Sequence, residues 1–245
     1  RLRMAEIIIQ SIQFIMKRFF AILAVVMLAG CSSDDDKNDG PKKYATAFRL
    51  GTDSTTPWVQ LRYDGNNNLT GLISENEVQY SFAYNGNELV SITDGSDEEE
   101  PDYEFIYQDG ALTSYIRNGE TFPITYNNDS KTYIFEEEGI EIGLRGRDLG
   151  TGRLIGGTTN LLDINYDDSR KGALYAVPTK DLFLLQLFAN LYYYLSARPL
   201  ATVGDNEDTY TAENVYDADG YVTQMTLKSG TESVVTIQYQ YSQAE

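Results

Sequence analysis

The sequence predicts an all-β fold, an antiparallel meander forming a curled or barrel-like sheet with one buried helix. Three observations predict it. Apolar and polar residues alternate along short segments, turn dipeptides separate these segments, and one long apolar segment lies between residues 179 and 195. We expect residues 44–245 to form one β-rich domain, since a chain of about 200 residues is an ordinary length for a single all-β domain.

The first 30 residues have the features of a leader that is removed from the mature protein. Residues 1–15 precede a complete signal peptide, so we interpret them as an over-extended reading frame, with a start at Met4 as the alternative. Residues 16–30 contain two cations, then ten residues without a polar or charged side chain, then small residues. This order predicts a secretory signal peptide, because the apolar part is shorter than the roughly 20 residues that span a bilayer.

Cys31, the sole cysteine, ends the tetrapeptide Leu-Ala-Gly-Cys, which resembles the bacterial lipobox. The resemblance implies cleavage before Cys31 and lipidation of its thiol, which would attach the protein to a membrane. The alternative is a transmembrane anchor in which the cysteine is incidental. Residues 32–36, Ser-Ser-Asp-Asp-Asp, resemble the surface-export signal of Bacteroidota lipoproteins. A solvated acidic linker over residues 31–43 is compatible with that resemblance.

The predicted mature chain, residues 31–245, is strongly acidic. Removal of the leader takes away four of 19 basic and one of 37 acidic residues, which leaves a net charge of 15 − 36 = −21. Such a field repels nucleic acid, so we expect no nucleic-acid partner. The chain has no histidine. That absence excludes Ser-His-Asp and Cys-His nucleophiles and histidine-ligated zinc. Because the chain has a single cysteine, it forms no internal disulfide, and packing alone must hold the fold together.

The domain contains several segments with a period of two. Residues 78–85 alternate aromatic or aliphatic side chains with polar or small ones, and the pattern recurs in 103–107, 122–126 and 235–241. This period predicts antiparallel strands with one buried face. Asn-Gly or Asp-Gly dipeptides, which accept the positive φ angles of tight hairpins, separate the segments. They are Asp64-Gly65, Asn85-Gly86, Asp94-Gly95, Asp109-Gly110, Asn118-Gly119 and Asp219-Gly220.

The turns belong to an internal repeat. Each copy starts with an aromatic residue at the end of a strand, continues with an Asx/Gly turn, and ends with Leu, Ala-Leu or Val at the start of the next strand. The aromatic residues are Tyr63, Tyr84, Tyr107 and Tyr216. The first three copies are about 21–23 residues apart, which corresponds to one hairpin each. This form resembles the YD repeats of Rhs-type shells, in a degenerate version.

One apolar segment, residues 181–195, interrupts the alternation and contains neither glycine nor proline. Its leucines follow helical spacing, Thr179 can cap the first turn, and Asp181 suits the positive end of a helix. Apolar residues on nearly every face predict burial. We therefore predict one buried helix at about 179–195, with two buried strands as the alternative.

Several residue groups are candidates for sites. Asp217-Ala218-Asp219-Gly220 could belong to a calcium loop with Gly220 at its sixth position, but the ligand positions 215 and 226 are Val215 and Thr226, which favours a hairpin turn. The acidic runs 98–100 and 136–138 are interpreted as solvated loops. The basic segment 145–153 is interpreted as a mobile loop, with anion binding as the alternative.

Two aromatic groups complete the candidates. We expect Trp58 to belong to the core, with stacking on a sugar as the alternative. Residues 192–194, Tyr-Tyr-Tyr, fit helix packing better than a binding stripe. No residue is assigned as catalytic or metal-ligating, no ligand-binding residue is identified, and no cofactor is expected.

The lipobox, the hairpins, residues 164–168, the apolar segment and the final hairpin resemble Bacteroidota outer-membrane lipoproteins of unknown function, in particular a family described as porin-like in fold. The resemblance implies no catalytic residues. Short strands with charged faces argue against a transmembrane barrel. We expect a surface-exposed, non-enzymatic module that binds a glycan, a peptide or an outer-membrane protein and is tethered to the outer membrane through Cys31. A carboxylate-dependent glycan hydrolase and a purely structural envelope protein are the alternatives.

Overall fold

The computed structural model describes residues 42–95, 101–205 and 208–243. Within these ranges sixteen strands form a closed antiparallel barrel in chain order, which the first and last strands complete by pairing with each other. The all-β, meandering, barrel-like prediction is confirmed. The strands are β1 (Lys43–Leu50), β2 (Val59–Tyr63), β3 (Leu69–Ser74), β4 (Glu77–Asn85), β5 (Glu88–Asp94), β6 (Tyr103–Gln108), β7 (Ala111–Arg117), β8 (Glu120–Asn127), β9 (Thr132–Phe135), β10 (Ile140–Arg145), β11 (Asp148–Leu154), β12 (Asn160–Tyr166), β13 (Leu200–Gly204), β14 (Thr209–Tyr216), β15 (Val222–Ser229) and β16 (Glu232–Gln243).

The barrel wall is apolar inside and polar outside. On β4, Tyr80, Phe82 and Tyr84 pack in or against the core, whereas the residues between them are exposed. β14 has the same alternation, with Thr209, Thr211, Glu213 and Val215 exposed. Among the described residues, the large hydrophobic side chains with high exposure are Leu154, Ile155 and Val215.

A segment between β12 and β13, residues 167–199, fills the lumen, and we call it the plug. Wall side chains fill barrels of about eight strands, but a barrel of about 16 strands encloses a wide lumen that they cannot fill. The plug supplies the missing apolar volume. Its core residues are Ala173, Leu174, Val177, Leu182, Phe183, Leu184, Leu185, Ala189, Leu191, Tyr192, Leu195 and Ala197.

The plug contains α1 (Leu182–Phe188), a helix shorter than predicted. The prediction of a helix over 179–195 is correct in its burial and wrong in its length. Asn190 adopts a φ of +55°, a left-handed conformation that ends a right-handed helix and that asparagine tolerates better than most residues. The hydroxyl of Thr179 does not cap the helix but donates a hydrogen bond to Asn68 Oδ1 at 3.2 Å.

Four of the six predicted turns have a positive φ at the glycine, and two do not. Asp94-Gly95 has no positive φ and begins the longer connection between β5 and β6 instead of a tight hairpin turn. Asp109-Gly110 and Asn118-Gly119 have positive φ at both positions, as two-residue hairpin turns require. In the turn that begins at Asp64, the positive φ falls on Asn67 and not on Gly65.

Two turns from distant parts of the chain share one hydrogen-bond pattern. Asp64 Oδ1 accepts the N–H groups of the residues two and four positions later, and so does Asp217 Oδ1. In both, the aspartate N–H donates to the carbonyl four residues ahead. The sequence repeat therefore corresponds to a repeated turn geometry at Tyr63 and Tyr216, while the resemblance to YD repeats stays a prediction.

The alternation of strand directions places both ends of the barrel chain on the same side. β1 starts and β16 ends at this side, which we call the proximal end, and the plug enters and leaves there. The opposite side, the distal end, contains the turns that follow each odd-numbered strand. The N-terminal linker therefore joins the barrel at its proximal end.

Candidate functional site

The residue that the sequence singles out, Cys31, lies outside the described residues, so its lipidation stays a prediction. The first described strand starts at Lys43. Candidate sites within the described part of the chain are the lumen, the two barrel ends and the outer wall.

The lumen is packed and not an open channel. Phe188, at the end of α1, contacts an aromatic group on β6, β7 and β9, with ring centroids 4.6 Å from Tyr103 and 5.7 Å from Phe135. Phe183 stacks on Tyr133 at 4.9 Å. These contacts bury the plug against the wall, so a ligand in the lumen would have to displace it.

Arg147, in the β10–β11 turn, binds the first half of the plug. Its guanidinium donates to the carbonyl oxygens of Tyr175 and Thr179, each at 3.0 Å, and to that of Val177. The interpretation of segment 145–153 as a mobile loop is wrong, because most of it forms β11 and its turn holds the plug in place.

Asp148, the next residue, binds the second half. Its Oδ1 accepts the N–H of Ala197 at 2.8 Å and the side-chain amide of Gln186 at 3.0 Å, and its Oδ2 accepts the N–H of Arg198 at 3.1 Å. Burial raises the pKa of Asp148 to about 6, against the opposing effect of these donors and of Arg147. The carboxyl group has a structural role, since its oxygens are occupied by plug donors.

The acidic segment 136–138 is also more buried than predicted. Glu136 and Glu138 are buried, so the solvated-loop interpretation is wrong for them. Glu138 Oε1 accepts the Tyr115 hydroxyl proton and lies 3.0 Å from an Arg117 guanidinium nitrogen. Burial raises the pKa of Glu138, although both partners oppose the shift. This group lies at the distal end of the barrel. The other acidic run, 98–100, lies outside the described residues.

The proximal turn at Asp217 is a hairpin turn and not a cation loop. The Lys43 ammonium lies 2.7 Å from Asp217 Oδ2 and 2.6 Å from Asp219 Oδ2, so a side-chain cation already occupies the space between the carboxylates. Elsewhere in the described ranges, no group of three or more Cys, Asp or Glu side chains is positioned to hold a metal ion.

The aromatic residues that the sequence offered as candidate sites pack against other residues of the chain. Trp58 precedes β2, is half-buried outside the core, and contacts the Arg49 guanidinium at 4.7 Å, so the core prediction is wrong. Tyr192 is buried, and Tyr194 stacks on Phe48 at 5.9 Å. The three consecutive tyrosines pack inside the barrel as expected, although they lie beyond the end of α1.

The outer wall contains an open cleft of about 340 Å³ across β9, β10, β11 and the start of β12. Its floor lies at Gly143, an outward position on β10 with no side chain. A Cβ there would lie 2.4 Å from Thr151 Oγ1, so glycine makes room for the hydroxyl. A Cβ at Gly150 would lie 2.7 Å from Arg145 Cγ, so this second glycine lets the arginine stem lie across β11.

Three cations line the cleft, although the chain as a whole is acidic. They are Lys131, Arg145 and Arg153, and no carboxylate belongs to the lining. Glu141 lies beside it and fixes Arg153, whose Nε donates to Glu141 Oε2 at 2.7 Å. The remaining lining residues are Ser130, Thr132, Gly143, Leu144, Thr151 and Asn160.

The cations of the cleft retain unused donors. Arg145 makes one long hydrogen bond, at 3.4 Å, to Asn165 Oδ1. Within the described part of the chain, Lys131 makes no ion pair or hydrogen bond. Sequence reasoning considered anion binding at segment 145–153 but missed Lys131, which belongs to the β8–β9 turn.

The described ranges contain no helix that is both long and apolar enough to cross a membrane. No protein-family model matches the chain, and no curated protein matches it.

The chain is similar in structure to porin-like proteins of Bacteroides. The one from Bacteroides vulgatus ATCC 8482 is 13% identical, with 82% of this chain and 99% of that chain covered and a TM-score of 0.46. The one from Bacteroides uniformis ATCC 8492 is also 13% identical, with 81% and 98% covered and a TM-score of 0.41. A likeness this distant transfers neither a pore nor an activity to this chain.

Proposed function

We propose that the chain is a lipid-anchored outer-membrane protein that displays a non-catalytic binding module at the cell surface. The observation that carries the proposal is the polarity of the barrel. A membrane-spanning barrel needs an outward apolar band about 25 Å tall. Here the apolar faces point into a filled lumen, and the outer face of strands such as β4 and β14 is polar. The barrel therefore needs a separate anchor, which a lipid on Cys31 would supply.

The linker geometry supports the same arrangement. Lys43 is 43 − 31 = 12 residues after Cys31, a distance of at most about 40 Å for an extended chain. The linker joins the proximal end of the barrel, so a lipid on Cys31 would hold that end towards the membrane.

The charges are distributed unevenly between the two ends, and this supports the orientation. The proximal turns and plug ends contain about as many acids as cations, and some of these are paired, so this end is much less acidic than the distal end and suits the side nearest to lipid phosphates better. The distal turns are mainly acidic and would face away. The proximal cations include Lys43, Lys131, Arg170, Lys171, Lys180 and Arg198, and the distal acids include Glu75, Glu77, Asp94, Asp102, Glu120, Glu137, Asp205 and Asp208.

The cleft supports binding better than glycan hydrolysis. A carboxylate-dependent hydrolase needs two carboxyl groups about 5–10 Å apart across the substrate site. The cleft is lined by cations, hydroxyl groups and an amide, which can hold a ligand but offer no acid–base pair.

Replacement of the anchoring cysteine tests the proposal. We expect Cys31→Ala to move the protein from the membrane fraction to the soluble fraction and to abolish incorporation of a labelled fatty acid. Asn38→Ala, in the same linker, is the matched control and should change neither result. Retention of Cys31→Ala in membranes would refute lipid anchoring.

Protease treatment of intact cells separates surface display from anchoring. Replacement of residues 34–36 by alanine should protect the protein from external protease while it stays in the membrane fraction. Full protection of the wild-type protein would contradict surface display and leave the anchor unaffected.

A further inference from the structure

We infer that the outer-wall cleft binds a small polyhydroxylated oxyanion, such as a sugar acid, a sugar sulfate or a sugar phosphate. The inference rests on the proposed function in one respect, since it names the ligand class of the proposed binding module. It depends on the geometry of β9–β12 and not on the lipid anchor.

The charges of the cleft select an anion. Lys131 comes from the β8–β9 turn, Arg145 from the end of β10 and Arg153 from β11, and the one adjacent acid, Glu141, offsets a single positive charge. The local net charge is therefore 3 − 1 = +2, on a mature chain of −21. An oxyanion can accept charge-assisted hydrogen bonds from the Lys131 ammonium and from the free guanidinium donors of Arg145.

Glu141 gives the cleft a fixed element. It is buried, and its two oxygens accept hydrogen bonds from Thr132 Oγ1 at 3.1 Å and from Arg153 Nε at 2.7 Å. Because the hydrogen bond to Glu141 uses only Nε, the terminal nitrogens of Arg153 remain available to a ligand. The site is therefore partly organised before a ligand binds.

The neutral groups select hydroxyls. Thr151 and Asn160 present a hydroxyl and an amide group that can donate and accept. The Thr132 hydroxyl already donates to Glu141, and the Ser130 hydroxyl is hydrogen-bonded to Thr132 at 2.7 Å. No aromatic side chain lines the cleft, so a neutral sugar would lack a stacking surface. The volume of about 340 Å³ lies at the small end of ligand sites, which extend from about 300 to 1,000 Å³. These properties together favour a charged ligand of the size of one sugar ring or slightly larger.

Calorimetry on the full mature chain with Cys31→Ala tests the inference without a membrane. The ligands are glucuronic acid, glucose 6-sulfate, glucose 6-phosphate, inorganic sulfate and glucose. We expect saturable binding of at least one charged sugar, weaker binding of inorganic sulfate, and none of glucose. The affinity should fall as salt concentration rises, because part of the attraction is between exposed charges.

Matched variants assign the binding to the cleft. Lys131→Gln and Arg145→Gln should each weaken binding by about tenfold or more. Arg62→Gln removes an exposed cation from the outer wall of β2 and should leave the affinity unchanged. Gly143→Ala should weaken binding without a change in charge, because the new methyl group displaces the Thr151 hydroxyl from the floor. Circular dichroism identifies any variant that fails to fold.

Three results would overturn the inference. They are an absence of saturable binding of every charged sugar at millimolar concentration, an equal loss of affinity in Arg62→Gln, and binding of inorganic sulfate as tight as that of the sugars. Each is independent of Cys31, so failure of the cleft inference and failure of lipid anchoring are separate outcomes.

Discussion

At the scale of single residues, Arg147 and Asp148 hydrogen-bond to different backbone groups of the plug. The arginine takes carbonyl groups from residues 175–179, and the aspartate takes N–H groups from residues 197 and 198. Buried backbone groups need such partners, since an unsatisfied one costs about 1–3 kcal/mol. Two adjacent side chains, one at the end of the β10–β11 turn and one at the start of β11, thereby allow a non-repetitive segment to lie inside an apolar lumen.

The raised pKa of Asp148 predicts a pH dependence of stability. Its folded pKa of about 6 exceeds the unfolded value of about 3.9, so the folded state holds the proton more tightly between these values. The contribution of Asp148 to stability is therefore greatest below pH 4 and falls as pH rises to about 6. Asparagine does not ionise. The free energy of unfolding of Asp148→Asn, relative to that of wild type, should therefore increase by up to about 3 kcal/mol as the pH rises from about 4 to about 6.

Urea unfolding of both proteins at a series of pH values measures this difference. Comparison of the two removes the contributions of the other carboxyl groups, which are common to both. A constant difference between the two curves across this range would show that Asp148 does not bury a charge.

At the scale of elements, α1 is short because of one residue and stable because of its surroundings. A helix of seven residues is marginal alone, and this one makes no side-chain cap. Tertiary contacts compensate, since Phe183 and Phe188 meet the aromatic side chains of the wall. Asn190 then turns the chain so that Tyr192 and Leu195 reach the core.

The left-handed conformation of Asn190 predicts a contrast between two substitutions. Asn190→Val should lower the free energy of unfolding by about 1–2 kcal/mol, because a β-branched side chain is strained at positive φ. Asn190→Gly should change it by less than about 1 kcal/mol, since relief of strain offsets the greater entropy of glycine in the unfolded chain. Chemical denaturation measures both, and equal stability of the two variants would contradict the assigned helix end.

At the scale of the whole molecule, the barrel has the polarity of a globular protein and not of a membrane pore. Sixteen strands enclose more volume than their own side chains fill, and the plug resolves that difference with apolar residues. A ligand would therefore have to bind at the outer wall or at one of the two ends. The cleft occupies the outer wall where Gly143 and Gly150 remove side chains.

The strands and turns could be predicted because their signals are local. Alternation over residues 78–85 and the Asn118-Gly119 dipeptide each determine a few neighbouring residues, and the structure matches both. The cleft could not be predicted, because Lys131 and Arg153 meet only through the register of β9, β10 and β11. The burial of Glu138 was missed for the same reason, since its partner Tyr115 lies 23 residues away.

Hydrogen exchange of the full mature chain tests the central claim most directly, because it reports whether the plug is an integral part of the barrel core. We expect the amides of Leu182–Phe188 to exchange as slowly as those of the central strands and to lose protection only when the whole barrel unfolds. Rapid exchange in α1 under conditions in which the strands remain protected would contradict the account, because the lumen would then open without the wall.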